Sequence, residues 1–371
     1  MSWKRLANND LKVRLKKRAR IIQLIREFFV KEGFLEVETP IVVPFAGQEP
    51  YLEPMRVEFT APPLTPPRKG GETTKISSHF EGEVRRGYLI TSPEYAHKKL
   101  LAAGFEKTFE ITKAFRGGEH FGGLHNPEFT IIEWYRAHAD YTAIMDDVER
   151  LVQHVAATFR SPHGGLKASA TISYQGRTID LSSPWDRISV AEAFKKYAEI
   201  NLDEIRDDET FFKIFLTKIE KHLGVTKPTI LYDYPAEMAS LARLKPSPVL
   251  ADILSRGERN TNPISSPLGR GDGEGQVAER FEVYIAGMEL GNAFSELNDA
   301  IEQRRRFLEE QALRKKLGKE IIPLDEDFID AVGNMPLSAG IAFGIDRLVM
   351  LLTNAKTIEE VLAFPAGELF I

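Results

Sequence analysis

Two arginines, several glutamates and one aromatic ring carry most of the chemistry that this sequence could perform. Arg116 closes an alternating run that begins at Phe109 and is followed by a glycine-rich, charged loop. A second run, Phe129 to Tyr135, reads as the returning strand of a hairpin, with Phe129, Ile131, Glu133 and Tyr135 on one face. An arginine at a strand end suits bidentate contact with a carboxylate or a phosphate. Taken alone, Arg116 also fits a surface ion pair, and Phe129 fits a core. Glu133 is harder to dismiss, because a carboxylate on an apolar strand needs a partner.

A further hairpin, Arg280 to Phe294, reads as turning at Ala286-Gly287, which sets Tyr284 opposite Glu289 and Glu282 diagonal to it. Those carboxylates are either edge-strand charges or ligands for a hard cation such as Mg²⁺, which takes oxygen donors and bridges phosphates. Arg347 falls in the first turn of a helix, where the backbone dipole disfavours a cation unless an anionic ligand is present. Together these residues describe an ATP site. It is of an unusual kind, since neither a P-loop nor a Rossmann glycine fingerprint occurs.

The elements that must position these residues follow from periodicity. Leu11 to Glu32 reads as a helix with a basic outer face, stopped by Gly33; that face is either simply solvated or a site for an acidic partner. Phe34 to Pro40 is a short strand, and Tyr88 to Thr91 a strand leading into a helix over Tyr95–Ala103. Asp140 caps a helix carrying Ile144, Val148, Leu151, Val155 and Phe159 on one side. Ser161 to Ser183 reads as irregular. Ser189 with Glu192 forms a capping box, Phe211 to Leu223 is one amphipathic helix, and Thr229 to Tyr232 is a strand. Asp299 caps a charged helix, and Ala339 to Ile345 is a buried strand before the Arg347 helix. Segments 61–87 and 257–275, rich in Pro, Gly and Ser, read as flexible insertions. The expected fold is α+β, an antiparallel β-sheet flanked by helices.

Composition narrows the classes. A length of 371 residues is a prior for roughly two domains, though the pattern here reads as one domain over 1–371 with two insertions. A net charge of −5 argues against a broad nucleic-acid-binding surface. With no cysteine, disulfides, thiolate nucleophiles and zinc–thiolate sites are excluded, as a reducing interior would favour. The N-terminus lacks a signal-peptide pattern and no apolar run nears ~20 residues, so a cytoplasmic protein without a membrane is expected.

At these same residues the chain resembles the class II aminoacyl-tRNA synthetases. FLEVETP (34–40), FR…E…HNPEFTIIEWY (115–135) and GIAFGIDRLVML (340–351) are similar to their three ordered motifs. SPEY (92–95), HNPEFT (125–130) and ERFEVYIAGMELGNAFSELNDA (279–300) resemble the lysine branch. The catalytic pattern begins within the first dozen residues, leaving no room for the N-terminal OB-fold of that branch. Ala342 stands where the tRNA-charging enzymes usually carry glycine. These departures, with IEWYRAH and MASLARL, resemble the truncated lysyltransferase paralogues that modify translation elongation factor P with (R)-β-lysine.

The resemblance implies an ATP- and Mg²⁺-dependent ligase that activates (R)-β-lysine or lysine as an adenylate and transfers it to a lysine ε-amino group of elongation factor P. It further implies a homodimer, and makes tRNA a less suited acceptor; a minimal tRNA-charging enzyme and a catalytically silent binding paralogue are the alternatives. Residue by residue, Glu94, Tyr135 and Glu296 would hold the side-chain ammonium, and Glu133 with Asn292 the other amine. Ser92, Glu289 and Ala342 would also line the amino-acid pocket. Arg116 and Arg347 would be catalytic, Phe129 and Arg347 would sandwich adenine, and Asn126, Val283 and Gly344 would help hold the nucleotide. Glu282 and Glu289 would ligate Mg²⁺. The family pattern has a glutamate two residues after the arginine; here Arg116-Gly117-Gly118-Glu119 delays it, and Glu119 takes that role in a lengthened loop over Gly117–Leu124.

Overall fold

A computed structural model describes residues 3–60, 84–118, 122–160, 171–205, 207–247 and 275–370. Alternation of apolar and polar residues builds a nine-stranded sheet among them. In chain order its strands are β1 (Leu35–Glu36), β2 (Lys107–Phe115), β3 (Glu128–Ala137), β4 (Asp186–Ser189), β5 (Thr229–Pro235), β6 (Leu244–Pro246), β7 (Gln276–Ile285), β8 (Met288–Ser295) and β9 (Ser338–Gly344). They lie side by side as β1-β2-β3-β9-β8-β7-β5-β4, with β6 also on β7. The run from β2 to β5 is antiparallel throughout, while the outer pairs β1–β2 and β4–β5 are parallel. This is the α+β arrangement that the sequence pattern predicts.

Helices pack on both faces of the sheet, one side carrying Trp134 and the other Tyr135. They are α1 (Asn9–Lys31), α2 (Glu94–Ala102), α3 (Tyr141–Arg160), α4 (Ala300–Lys316), α5 (Glu326–Asn334) and α6 (Ile345–Thr353). Ile144, Val148, Leu151 and Val155 of α3 are fully buried against the core formed with α1 and α6. Each such burial is worth roughly 1.5–3 kcal/mol. The buried face of α1 is Ile21, Leu24, Ile25, Phe28 and Phe29, and its N-cap Asn8 accepts from Leu11 N at 3.1 Å. Its basic face is partly consumed inside the molecule: Arg14 pairs with Glu360 at 2.6 Å and Arg18 with Asp346 at 2.5 Å.

Several local expectations need correction. Only Leu35–Glu36 of the 34–40 stretch pairs as a strand; beyond it Thr39 is held instead by Glu110 on β2, through its N–H at 3.0 Å and its hydroxyl at 2.8 Å. Residues 84–87, assigned to the first insertion, belong to a strand, Val84–Leu89, that pairs with Arg56–Thr60. The rest of that insertion, and all but Gly275 of the second, lie outside the described residues. The 161–183 stretch contains a hairpin, Thr171–Tyr174 with Arg177–Asp180, whose two-residue turn has Gln175 and Gly176 both at positive φ, 49° and 78°. That turn geometry matches strand twist, and Gln-Gly is a weak signal for it. The single helix expected over 211–223 is three short pieces, Asp208–Ile214, Phe215–Ile219 and Glu220–His222, in which the hydrogen-bond spacing changes.

Sheet and helices are tied together at the base of α6. Asp346 accepts the Thr130 N–H of β3 at 2.8 Å, and Arg18 reaches both Asp346 and, at 2.8 Å, the Thr130 hydroxyl. Asp346 is buried, so removing its cation would strand a charge. Arg18→Ala is expected to cost about 3–5 kcal/mol, measured by urea unfolding with an unchanged m-value. A loss below about 0.5 kcal/mol would show that the pair does not tie the elements together.

Candidate active site

One cavity of about 430 Å³ opens on the face of the sheet between β2–β3, β8 and β9. Ser92, Glu94, Arg116, Asn126, Phe129, Glu133, Tyr135, Glu289, Asn292, Glu296, Ala342, Gly344 and Arg347 all line it. The antiparallel register brings them there: Ala342 of β9 sits opposite Glu133 of β3 on one side and opposite Asn292 of β8 on the other. Glu119 lies outside the described residues. Glu282 and Val283 do not line the cavity, and the Val283 side chain is fully buried in the main core.

The inner end is acidic and dry. Lys98 of α2, fully buried, places its ammonium 2.6 Å from Glu94 and 2.7 Å from Glu296. Its position on the helix follows from the i,i+4 spacing to Glu94. Burial works against the Lys98 charge, but Glu296 and Glu94 more than offset this and hold its pKa above the ordinary value. Two carboxyl groups share one lysine, so ionising both leaves an excess of negative charge. Burial pushes Glu296 up to about 8, with Lys98 pulling against it.

Beside this group Glu133, also buried, accepts from Ser92 Oγ at 2.5 Å and from Tyr135 Oη at 2.7 Å. Burial raises Glu133 to about 8 despite those bonds, with Glu94 adding to the rise. The sequence reading divides Tyr135 and Glu133 between two amines; in the structure a hydrogen bond joins the two side chains. His97 stacks on Tyr135 at 4.8 Å and bridges back through Thr108 and Glu110, fixing the ring. Gly340 completes the fit, since a Cβ there would meet the Tyr135 ring at 2.3 Å.

The outer end is cationic. Arg116 continues β2 and lies over the Phe129 ring at 5.1 Å. Arg347 of α6 donates to the Glu289 carbonyl and is 3.7 Å from the Glu289 carboxylate. Burial raises Glu289 to about 7, and the negative charge of Glu282 adds to it. Glu282 is itself held by Arg280 at 2.7 Å and by Tyr284 Oη at 2.7 Å. The hairpin turns where the sequence reading sets it, with Ala286 and Gly287 at φ 59° and 76° and Tyr284 opposite Glu289. A register shift beyond Tyr284 then puts Glu282 opposite Asn292. Asn126 has both ends of its amide engaged by backbone, donating to Glu128 O and accepting from Ala366 N at 2.9 Å. At Gly344 an added Cβ would make only ordinary contacts, the nearest 3.5 Å away, so nothing in the protein itself demands glycine there.

Four residues of this site escape sequence reasoning. Lys98 reads as half of a surface i,i+4 pair, and Arg280, at 3.0 Å from the Asn292 amide oxygen, as an ordinary strand charge. Asp346 and Glu49, which also line the cavity, carry no local signal. The arrangement can hold a ligand that is cationic at one end and anionic at the other.

The acidic end makes a pH prediction. Glu133 and Glu296 titrate near 8 when folded against an ordinary 4.5, so the folded chain binds more protons than the unfolded chain between those values. Their contribution to stability is therefore complete below about pH 4.5 and is lost as pH rises towards 8. Glu133→Gln is expected to flatten the fall in unfolding free energy between pH 5 and 8, measured by denaturant titration. An unchanged slope would contradict the assignment.

Comparison with known proteins agrees with this geometry. The family of class II tRNA synthetases (D, K and N) matches residues 1–368. A lysine–tRNA ligase of Thiobacillus denitrificans is 34% identical over 381 residues, covering 97% of this chain and 65% of its own length. One from Campylobacter jejuni is 38% identical over 357 residues, covering 94% of this chain and 62% of its own. The chain thus spans somewhat under two-thirds of the length of these curated relatives. With an antiparallel sheet flanked by helices and its arginines at the expected strand and helix ends, the chain belongs to the class II tRNA synthetase family of the D, K and N type.

Proposed function

We propose that this protein is an ATP-dependent, AMP-forming ligase that activates lysine or (R)-β-lysine as an adenylate and passes it to the ε-amino group of a lysine on elongation factor P. The observation that carries the amino-acid half is Lys98 held between Glu94 and Glu296 in a cavity whose opposite end presents Arg116 and Arg347. The excess carboxylate charge supports a diamino acid. Glu133 and Tyr135, joined by a hydrogen bond, face the distal ammonium together with Glu296. Arg116 meets the carboxylate, and Phe129 with Arg347 encloses the base.

In the first step a carboxylate oxygen attacks the α-phosphorus of ATP in line, forming the mixed anhydride as the bond to the β-phosphate oxygen breaks and pyrophosphate leaves. No general base is needed, because the carboxylate is already ionised. Catalysis is then positioning and charge neutralisation by Arg116 and Arg347. In the second step a neutral amine attacks the carbonyl, AMP leaves, and the amine sheds a proton. A divalent cation fits the donor set: Glu289 lines the cavity and feels the negative charge of Glu282, and one or two carboxylates with phosphate oxygens suffice for Mg²⁺. When bound, it would neutralise phosphate charge.

The acceptor is the less constrained half. Ala342 on the cavity floor and the acidic balance of −5 support the protein-modifying reading. The names of the relatives favour a second reading, transfer to tRNA. Exposed Leu35, Ile41 and Val42 beside β1 support a homodimer, for which sedimentation as a monomer at micromolar concentration would count against pairing.

Arg116→Ala is expected to lower lysine-dependent ATP–pyrophosphate exchange by at least about 10²-fold. Near-normal exchange would contradict the mechanism. Incubating the protein with ATP, each lysine isomer, elongation factor P and tRNA, then weighing products, decides the acceptor. The expected result is elongation factor P heavier by one lysyl residue; charged tRNA beside unmodified factor would transfer the assignment to the second reading.

A further inference from the structure

The segment before the first insertion places one more carboxylate in the cavity. Glu49 lines it together with Leu52, and its Oε2 is shielded from solvent without accepting a hydrogen bond from another residue. Burial pushes its pKa up and the charge of Glu94 adds to the rise, while Arg116 and Lys98 oppose it; Glu310 of α4 in turn feels the charge of Glu49. Glu49 lines the same cavity as Arg116 at the anionic-ligand end and as Glu94 and Glu296 at the inner end. Glu133, by contrast, feels the charges of Glu94 and Glu110 and is buried, where Glu49 is half-buried.

The backbone here is rigidly held. Buried Arg314 of α4 donates to Glu49 O at 3.0 Å and to Leu52 O at 3.3 Å, and the buried Gln48 amide donates to Pro323 O at 3.2 Å. The same segment is fastened to the turn that carries Arg116, since the Gly117 N–H donates to Glu53 O at 2.7 Å. Gly47 leaves room for the side chain: a Cβ there would lie 2.2 Å from Glu49 Oε2. A carboxylate oxygen shielded from solvent without a partner, on a segment fastened to the turn that carries Arg116, is poorly explained as structure, because burial without a partner is costly. An ammonium group next to the ligand's carboxyl would satisfy it.

We propose that Glu49 is a specificity-determining residue that receives the amino group nearer the reacting carboxyl of the diamino-acid substrate, leaving the distal ammonium to Glu133, Tyr135 and Glu296. This rests on the adenylation reading above and adds a division of labour within it.

The test separates the two amines by probe. Norleucine keeps the near amine and lacks the distal one; 6-aminohexanoate keeps the distal amine and lacks the near one. Each is measured as an inhibitor of lysine-dependent ATP–pyrophosphate exchange by wild type, Glu49→Gln and Glu49→Asp. Glu49→Gln is expected to raise KM for lysine and the inhibition constant of norleucine by roughly 10- to 100-fold, the size of a charged hydrogen bond. It should leave the constant for 6-aminohexanoate within about twofold of wild type, which also certifies an intact pocket, and Glu49→Asp should recover part of the loss. Equal shifts for both inhibitors, or none for either, would overturn the assignment. Absence of lysine-dependent exchange in the wild type would instead overturn the adenylation reading, and this inference with it.

Discussion

The structure depends on a buried charge imbalance. Lys98 is fully buried between Glu94 and Glu296, while Glu133 lies buried beside them without a cation of its own among the described residues. Burying carboxylates is costly unless they are neutralised, and the rise of Glu133 and Glu296 to about 8 expresses that cost. A fold optimised for stability alone would replace such a group with apolar side chains. Its persistence makes sense when a cationic ligand supplies the missing positive charge.

The surrounding elements keep this imbalance in place. Ser92 and Tyr135 hold Glu133 by hydrogen bonds, His97 stacks on Tyr135, and Gly340 leaves the ring space that a methyl group would occupy. Thr39, Glu110 and His97 link the short strand after α1 to the same ring. At the other end the Arg18–Asp346–Thr130 contact fixes α6, and thereby Arg347, to the strand that carries Phe129. A dry, negative inner end and a cationic outer end are thus built on one rigid sheet, so neither has to be assembled when ligand arrives.

Much of this was legible in the sequence because it is local. The hairpin from Phe109 to Tyr135 follows from period-two alternation, and the turn at Ala286-Gly287 from its position between two such runs. Arg116, Phe129, Glu289 and Arg347 meet in one cavity because strand ends and the first turn of a helix converge there. Lys98 and Glu49 were not legible, since their importance comes from long-range burial. Lys98 is an unremarkable i,i+4 partner until β8 brings Glu296 to its other side. The hydrogen bond between Tyr135 and Glu133 was not legible for a similar reason: period two puts them on one face but does not say which atoms meet. The hairpin at 171–180 was lost because Gln-Gly marks its turn faintly, and the stretch from Phe211 to Leu223 read as one helix because periodicity does not distinguish α, π and 3₁₀ spacing.

The central claim is that the acidic end selects a second ammonium. Calorimetric titration of the protein at pH 8 with non-hydrolysable lysyl-adenylate and norleucyl-adenylate analogues tests this most directly, because the two differ only at the distal amine. The account predicts that the lysyl compound binds tighter by two or more orders of magnitude, since the norleucyl compound would leave buried carboxylates unpaired. Equal affinity for the two would contradict it.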